Sequence, residues 1–423
     1  MSASPDVIIL GGGVAGLSAA RDLTAGGVRV RVLEARDRLG GRVSTRHTPD
    51  GPVELGAEFV HGAVEETLSV AREADLPLRE MNRAAPPTTT DRSTERTADF
   101  FSAMDALLAH ASATDPDQSF RELVDRADVA PAVKAAGLAL VEGYHAADPS
   151  RIGVHGLLKN TAADERPGAN RQFRFARGYD SLVGAIHDRI DARLCDVRLG
   201  AVAAAVAWQR GQAVVTTAAG DEHAAPKLII TVPLGVLKAG TIAFSPSFAD
   251  KQAAIAKLEM GDAERVSLCL GSDAWLADGG FSGGGFLFAG EPPFPVWWVS
   301  RPPPFPVVTG WAGGRNARAL RGRSVAERVE AAIVALAEAL GVDAGRLRAD
   351  VRGGFSHDWL ADPFARGAYS YAGVGGSEAG AALAVPVEDT IFFAGEATES
   401  DGDNGTVHGA VASGRRAARR VLA

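Results

Sequence analysis

Gly11, Gly13 and Gly16 stand in a G-x-G-x-x-G pattern, and Glu34 follows 18 residues after the last glycine. Between a strand and a helix these residues suit a dinucleotide. The first glycine allows a tight turn, the second lets the backbone approach a pyrophosphate, and the third packs helix against strand. The helix N-terminus, with Val14 and Ala15 in its first turn, offers unpaired N–H groups to the anion, and Glu34 accepts from ribose hydroxyls. An acid at that place disfavours a 2′-phosphate. The stretch Glu34-Ala35-Arg36-Asp37-Arg38-Leu39-Gly40-Gly41-Arg42 adds a glycine doublet flanked by arginines. It brings more N–H groups and a guanidinium to the same pyrophosphate, a second clamp that a nicotinamide enzyme does not need.

This opening resembles the FAD-binding start of the flavin-containing amine oxidases, the family of monoamine oxidases, polyamine oxidases and lysine-specific histone demethylases. Phytoene desaturases and protoporphyrinogen oxidases share that part. Later segments extend the resemblance over residues 6–421. Glu54-Leu55-Gly56-Ala57-Glu58-Phe59-Val60-His61-Gly62 is similar to the polyamine-oxidase stretch that runs beneath the flavin, which assigns Gly56, Ala57 and Glu58 to the cofactor. Thr231 to Leu237 resembles the strand and turn that close the middle FAD segment, and Val197, upstream of it, is assigned to the cofactor as well. Trp359, Asp362, Pro363 and Gly367 to Tyr371 resemble the second substrate-side motif; Phe392 to Thr398 and Thr406 to Ala410 resemble the C-terminal flavin motif. The resemblance implies FAD, with Gly395 and Glu396 near its ribityl or pyrophosphate part. Thr406 and Val407 would start a helix whose positive dipole end meets the pyrimidine carbonyl. A solvated loop acid is the alternative for Glu396. No cysteine follows Cys269, so the cysteinyl flavin link of monoamine oxidases is impossible and the FAD is expected to be non-covalent.

The resemblance also implies a reaction. A small-molecule amine in an aromatic cage gives its α-hydrogen to the flavin as a hydride, the imine is hydrolysed to a carbonyl, and O2 reoxidises the flavin with release of H2O2. Tyr369 falls on one cage position and Trp359 on a flavin-adjacent aromatic, although core packing also accounts for either. An aromatic wall attracts a cation on entry and shields the neutral amine that reacts. Opposite Tyr369, where monoamine and many polyamine oxidases place a tyrosine, stands Thr406, as in the histone-demethylase branch, which predicts a wider pocket. Arg265 falls where the family has a lysine that holds a water near flavin N5. Arginine does not titrate, so a different arrangement is expected there. His61 is a candidate for sensing substrate protonation, with a structural role as the alternative. Two other readings remain: a flavin-dependent desaturase or amino-acid oxidase of a tailoring pathway, and a flavin-holding interaction protein without turnover.

Such residues need a scaffold, and 423 residues, 46% hydrophobic and 23% charged, are enough to bury a large core. A formal charge of −8 without a basic face argues against nucleic acid as a partner. Two cysteines, Cys195 and Cys269, build no disulfide framework and suggest a reducing compartment, the cytoplasm. No uncharged apolar run approaches the roughly 20 residues of a membrane helix. No metal is expected: histidine spacing offers no zinc site, and Asp401 to Gly405 starts like a calcium loop but reaches Ala412 where a glutamate is needed. The oligomeric state is not legible.

Periodicity gives a strand over Asp6 to Leu10, a helix over Val14 to Thr24 and a strand over Val28 to Leu33, a βαβ unit. Helices are predicted over 63–75, 98–111, 119–147 and 180–190, with a loop over Asn82 to Arg96. Strands are predicted within 197–217, over Leu228 to Val232 and over Arg265 to Leu270. Trp297 to Val299 and Val307 to Trp311 read as a hairpin of edge strands joined by a stiff proline-rich loop. Ser324 and Glu327 form a capping box that opens a helix to Leu340, and a last strand over Ile391 to Ala394 precedes a helix over Thr406 to Leu422. The predicted fold is α/β in two domains. A discontinuous Rossmann-like FAD domain takes 1–80, 175–240 and 385–423. A mixed-sheet and helical substrate domain takes 81–174 and 241–384. Segments 80–175 and 280–311 are expected to line the substrate pocket.

Overall fold

The computed structural model describes residues 4–81, 92–277, 286–290, 292–301 and 306–423. Its centre is a five-stranded parallel sheet in the order Ile391–Phe393, Lys227–Ile230, Val7–Leu10, Val30–Leu33, Cys195–Arg198. Val7 to Leu10 is apolar at every position because both of its faces are covered, as parallel strands require. Ile8 and Leu10 point to one core, with Leu228, Ile230 and Phe393. Val7 and Ile9 point to the other, with Ala19, Leu23, Ala417 and Ala418 from the helices Val14–Ala25 and Val407–Leu422. Those two helices cross closely enough that a Cβ on Gly414 would lie 2.1 Å from the carbonyl oxygen of Ala15.

A second sheet, antiparallel, runs in the order Phe286–Phe288, Val296–Arg301, Val307–Gly313, Ala263–Leu270, Val351–Phe355. The helix Val325–Leu340 packs on it through Ala332, Ile333 and Leu336, opened by the Ser324–Glu327 capping box. The expected hairpin forms, but its strands occupy interior positions, because Phe286–Phe288 and Ala263–Leu270 pair on their outer sides. Pro292, Pro293 and Pro295 precede the first of them. The prolines at 302–304 lie outside the described residues.

Helices Arg92–Leu108, Phe120–Arg126, Pro131–Gly143 and Val154–Asp164 enclose a separate core around Leu107, Phe120 and Val141. The break before Pro131 follows from proline, which is suited to the first helical turn and not to a helix interior. The expected loop over Asn82 to Arg96 is corrected in its last part, since the helix starts at Arg92; 82–91 lie outside the described residues. Among the described residues, no helix is long and apolar enough to cross a membrane. Taken together, the molecule is a two-domain α/β fold.

Candidate active site

One cavity of about 1280 Å³ runs from the carboxyl ends of the parallel strands to the antiparallel sheet. At the sheet end its wall is the turn after Val7–Leu10. Gly11 has φ +106°, and a Cβ there would sit 2.6 Å from Thr231 Oγ1, so only glycine fits. A Cβ on Gly16 would meet the Gly11 carbonyl oxygen at 2.0 Å, so this glycine packs helix against strand and does not itself line the cavity. At Gly13 a Cβ would meet nothing within 4 Å: the space in front of this backbone is open cavity. That is the cradle a pyrophosphate needs, and Val14 and Ala15 continue it into the helix. Ala35 and Gly41 lie on the same wall.

Glu34 is buried on that wall and accepts from the Gly12 N–H (2.6 Å) and the Arg36 N–H (2.8 Å). A carboxylate accepts about four hydrogen bonds, so both oxygens keep capacity for ribose hydroxyls. The two arginines of the second clamp are already engaged. Arg36 pairs with Asp362 (2.6 Å), and Arg42 donates to Glu396 Oε1 (2.8 Å) and to the Ala368 carbonyl (2.7 Å). Glu396 is buried, not a solvated loop acid, and its other oxygen accepts from Ser370 and the Gly405 N–H. It therefore ties the last strand to the substrate-side motif and to the start of the C-terminal helix. Thr406 caps that helix, accepting from the Gly409 N–H and donating to the Asp403 carbonyl; Thr406, Val407 and Gly395 line the cavity.

Val197 is a correction. It pairs with Val32 in the outermost strand of the parallel sheet and does not line the cavity. The chain turns at Gly200 (φ +70°), and Ala201 to Ala204 reach the wall instead. Asp403 of the calcium-like loop is held by Arg166 and His408.

The far end of the cavity is aromatic. Phe59, Phe286 and Trp298 meet with ring centres 5.5 to 5.9 Å apart, and Trp298 lies 6.1 Å from Trp311. Tyr369 donates to the Tyr144 carbonyl (2.8 Å), and Trp311 donates to the Gly143 carbonyl (2.8 Å), which pins the end of one helix across the chamber. His61 stands edge-on to Phe59 (5.9 Å) and Tyr144 (6.2 Å). Trp359 donates to the Leu55 carbonyl (2.8 Å), locking its ring beside the Gly56 segment. Tyr369, Trp359, His61 and Thr406 thus share one wall system, and a Cβ at Gly405 would touch Tyr369 at 3.2 Å. As expected, segments 80–175 and 280–311 contribute, through Phe101, Tyr144 and His145 and through Phe286, Phe288 and Trp298. Their individual residues were not identifiable from sequence. His145 keeps some surface toward the cavity, but the enclosure is deep, and burial pushes it down to about 4.

Arg265 lines the cavity yet is 4% exposed. Its guanidinium donates to the Gly56 carbonyl (2.8 Å) and to Glu58 Oε2 (2.6 Å). Glu58 also pairs with Arg174 (2.9 Å) and accepts from Trp298 Nε1 (3.1 Å). Glu58 is consequently an anchor for two guanidiniums. That is a role the sequence does not reveal, because its partners are more than a hundred residues away.

A glycine-lined dinucleotide cradle that opens into an aromatic chamber defines a flavin oxidoreductase, and the chain belongs to the flavin containing amine oxidoreductase family, whose model matches residues 14–152 and 135–422. It is similar to polyamine oxidase 4 of Oryza sativa subsp. japonica, with 28% identity over 99% of this chain and 89% of that one. Its fold matches putrescine oxidase bound to putrescine (TM-score 0.81, 23% identity, 99% of both chains). It also matches cyclohexylamine oxidase from Brevibacterium oxydans IH-35A (TM-score 0.78, 20% identity, 99% of both chains). The activity is flavin-dependent oxidation of an amine at a CH–NH or CH–NH2 group, with O2 as acceptor.

Proposed function

We propose that this cavity binds FAD non-covalently along its glycine-rich wall and oxidises an amine in its aromatic chamber. The observation that carries the reading is the continuity of a single cavity from the open backbone at Gly13 to Tyr369. The residues fit the cofactor: an open cradle at a helix N-terminus, a carboxylate with free acceptor capacity at Glu34, and the first turn of a 16-residue helix at the other end. The only two cysteines of the chain, Cys195 and Cys269, stand outside the cavity wall, which supports a non-covalent cofactor.

Bound FAD would supply the acceptor for a hydride from the carbon bearing the amine nitrogen and the route for its two electrons to O2, giving H2O2 and an imine that water would hydrolyse to a carbonyl compound. The chain's own residues bind and orient. Gly11, Gly13, Val14, Ala15 and Gly41 hold the pyrophosphate, with Arg42, braced by Glu396 and the Ala368 carbonyl, adding its charge beside them, and Glu34 holds the ribose. Gly56, Ala57, Glu396, Thr406 and Val407 shape the flavin's surroundings. Tyr369 and Trp359 wall off water around the neutral amine, and His61 adds its ring to the same wall, edge-on to Phe59 and Tyr144. Arg265, fixed by Glu58 and Gly56, serves as a permanent charge. Residues 1–80, 175–240 and 385–423 form the cofactor part, and 81–174 and 241–384 the substrate part, of a cytoplasmic enzyme.

The test is a purified preparation assayed for peroxide across a panel of amines, with the flavin identified after heat denaturation. Yellow protein that releases intact FAD to the supernatant and peroxide with an amine is expected. Colour that stays in the pellet sinks the non-covalent assignment, and absence of peroxide with every amine sinks the oxidase.

A further inference from the structure

The chamber wall carries a group of charges that is out of balance. Glu58, 3% exposed, lies between Arg265 (2.6 Å) and Arg174 (2.9 Å), giving two cations to one anion. The contact with Arg174 is an ion pair too bent to be a hydrogen bond, and Arg174 spends Nη1 on the carbonyls of Val299 (2.7 Å) and Ser300 (3.1 Å). Burial pushes the Glu58 carboxyl up, but Arg174 and Arg265 outweigh it and hold it below the ordinary carboxylate range. Neither arginine can discharge. The nearby Glu54 restores the balance only in part: burial pushes it up to about 7, so it is about half ionised at neutral pH, and it is turned toward Thr45 and Tyr179. On the opposite wall, Glu142 is already paired with Arg315 (3.1 Å).

The excess charge sits in a low-dielectric setting. Phe59 stacks on Arg174 at 4.6 Å, and Trp298 lies 5.8 Å from Arg265. A buried positive charge there lowers the proton affinity of the one amine that must become neutral, and repels any second ammonium, which near pKa 10.4 stays charged at neutral pH. Resting on the reading of the chamber as the amine site, we propose that the Arg174–Glu58–Arg265 cluster selects amines with one cationic centre and an apolar body, and rejects α,ω-diamines and polyamines. Phe59, Phe286 and Trp298 receive the apolar body.

The experiment compares 1-aminohexane with 1,6-diaminohexane, which share a carbon chain, in binding to the holoenzyme (flavin absorbance or tryptophan fluorescence) and in kcat/KM by peroxide release. The monoamine is expected to be favoured by about tenfold or more in both, with little change between low and high salt because the charges are buried. Arg174→Gln, which removes the excess charge from behind the wall without touching the cavity lining, should narrow the ratio to about threefold or less, and Arg174→Lys should keep it. A merely structural arginine would alter stability and leave the ratio alone. Equal or better handling of the diamine by the wild type overturns the proposal, whether or not the variants fold. Should no amine release peroxide, the oxidase reading fails separately, and the binding ratio still decides this one: discrimination supports it, and its absence overturns it.

Discussion

At the scale of single residues, Arg265 is fixed in the chamber wall by the Gly56 carbonyl and the Glu58 carboxylate. An arginine in place of the family's lysine implies a different arrangement there, and the guanidinium is engaged with protein groups of the wall. Removing it leaves Glu58 with Arg174 alone, so Arg265→Met should cost about 3 kcal/mol in denaturant unfolding, the lower end for one partner of a buried pair. Arg265→Lys keeps the charge but loses the fork and should recover only part of it. A loss under about 0.5 kcal/mol, typical of a surface site, would refute the buried pair. Glu54 offers a second test, through pH. Its folded pKa is raised by burial to about 7 from 4.5. Folded protein therefore retains a proton that unfolded chain releases, and the stabilisation present below about 4.5 is lost as pH rises through about 7. His145, pushed down to about 4, works in the opposite direction over much of that window, so the wild-type profile mixes both. The difference between wild type and Glu54→Gln isolates the carboxyl: the variant should gain relative stability of order 3 kcal/mol between pH 4.5 and 7.5. A pH-independent difference would show that Glu54 is not a titrating buried acid.

At the scale of elements, what was legible in the sequence is what local geometry dictates. The glycines at 11, 13 and 16 are legible because their spacing is a local pattern, although the side chain that excludes a Cβ at Gly11 belongs to the distant Thr231, and the Ser324–Glu327 box is complete within four residues. The apolar run at Val7 to Leu10 announces a strand covered on both faces. Alternation around Val197 announces a strand as well, but cannot say that the chain leaves the sheet at Gly200 before reaching the cavity. The hairpin at 296–313 is likewise local, while its interior position depends on partners at 263–270 and 286–288. The Glu58 anchor, the Glu396 hub and the Tyr369–Tyr144 bond join residues far apart in the chain, and no short-range pattern encodes them. The crossing of helices Val14–Ala25 and Val407–Leu422 is another long-range contact, and it is testable. Gly414→Ala drives a methyl against the Ala15 carbonyl, so the helices must separate, which overpacking costs of about 1–3 kcal/mol lead us to expect as a lower melting temperature and weaker flavin retention together. A control at Gly184, where a Cβ meets nothing within 4 Å and the backbone is helical, should be neutral or stabilising by helix propensity. Equal melting temperatures for the two variants would contradict the close crossing.

At the scale of the whole molecule, the cavity takes its walls from almost the entire chain. Gly11, Gly56, Tyr144, Ala203, Trp298, Tyr369 and Thr406 meet around one space, so a cofactor filling it contacts segments drawn from along the whole sequence. Filling should therefore stabilise the fold as a unit. A ligand that binds only the folded state adds RT ln(1 + [L]/Kd), about 2.7 kcal/mol at a hundredfold excess over Kd. For a chain of this size, several such kilocalories correspond to a rise of several degrees in melting temperature. We expect flavin-free protein to melt lower and to recover on titration with FAD, with a shift that follows the logarithm of free FAD. FMN, which lacks the adenylate that the Gly13 cradle and Glu34 serve, should recover little, and Glu34→Ala should reduce the FAD shift by about 1.5–3 kcal/mol, the value of hydrogen bonds to a charged group. Calorimetry at a series of FAD and FMN concentrations checks this. Equal shifts with both flavins would mean that the glycine-rich wall does not hold the nucleotide half, and that the cofactor enters the cavity from its aromatic end.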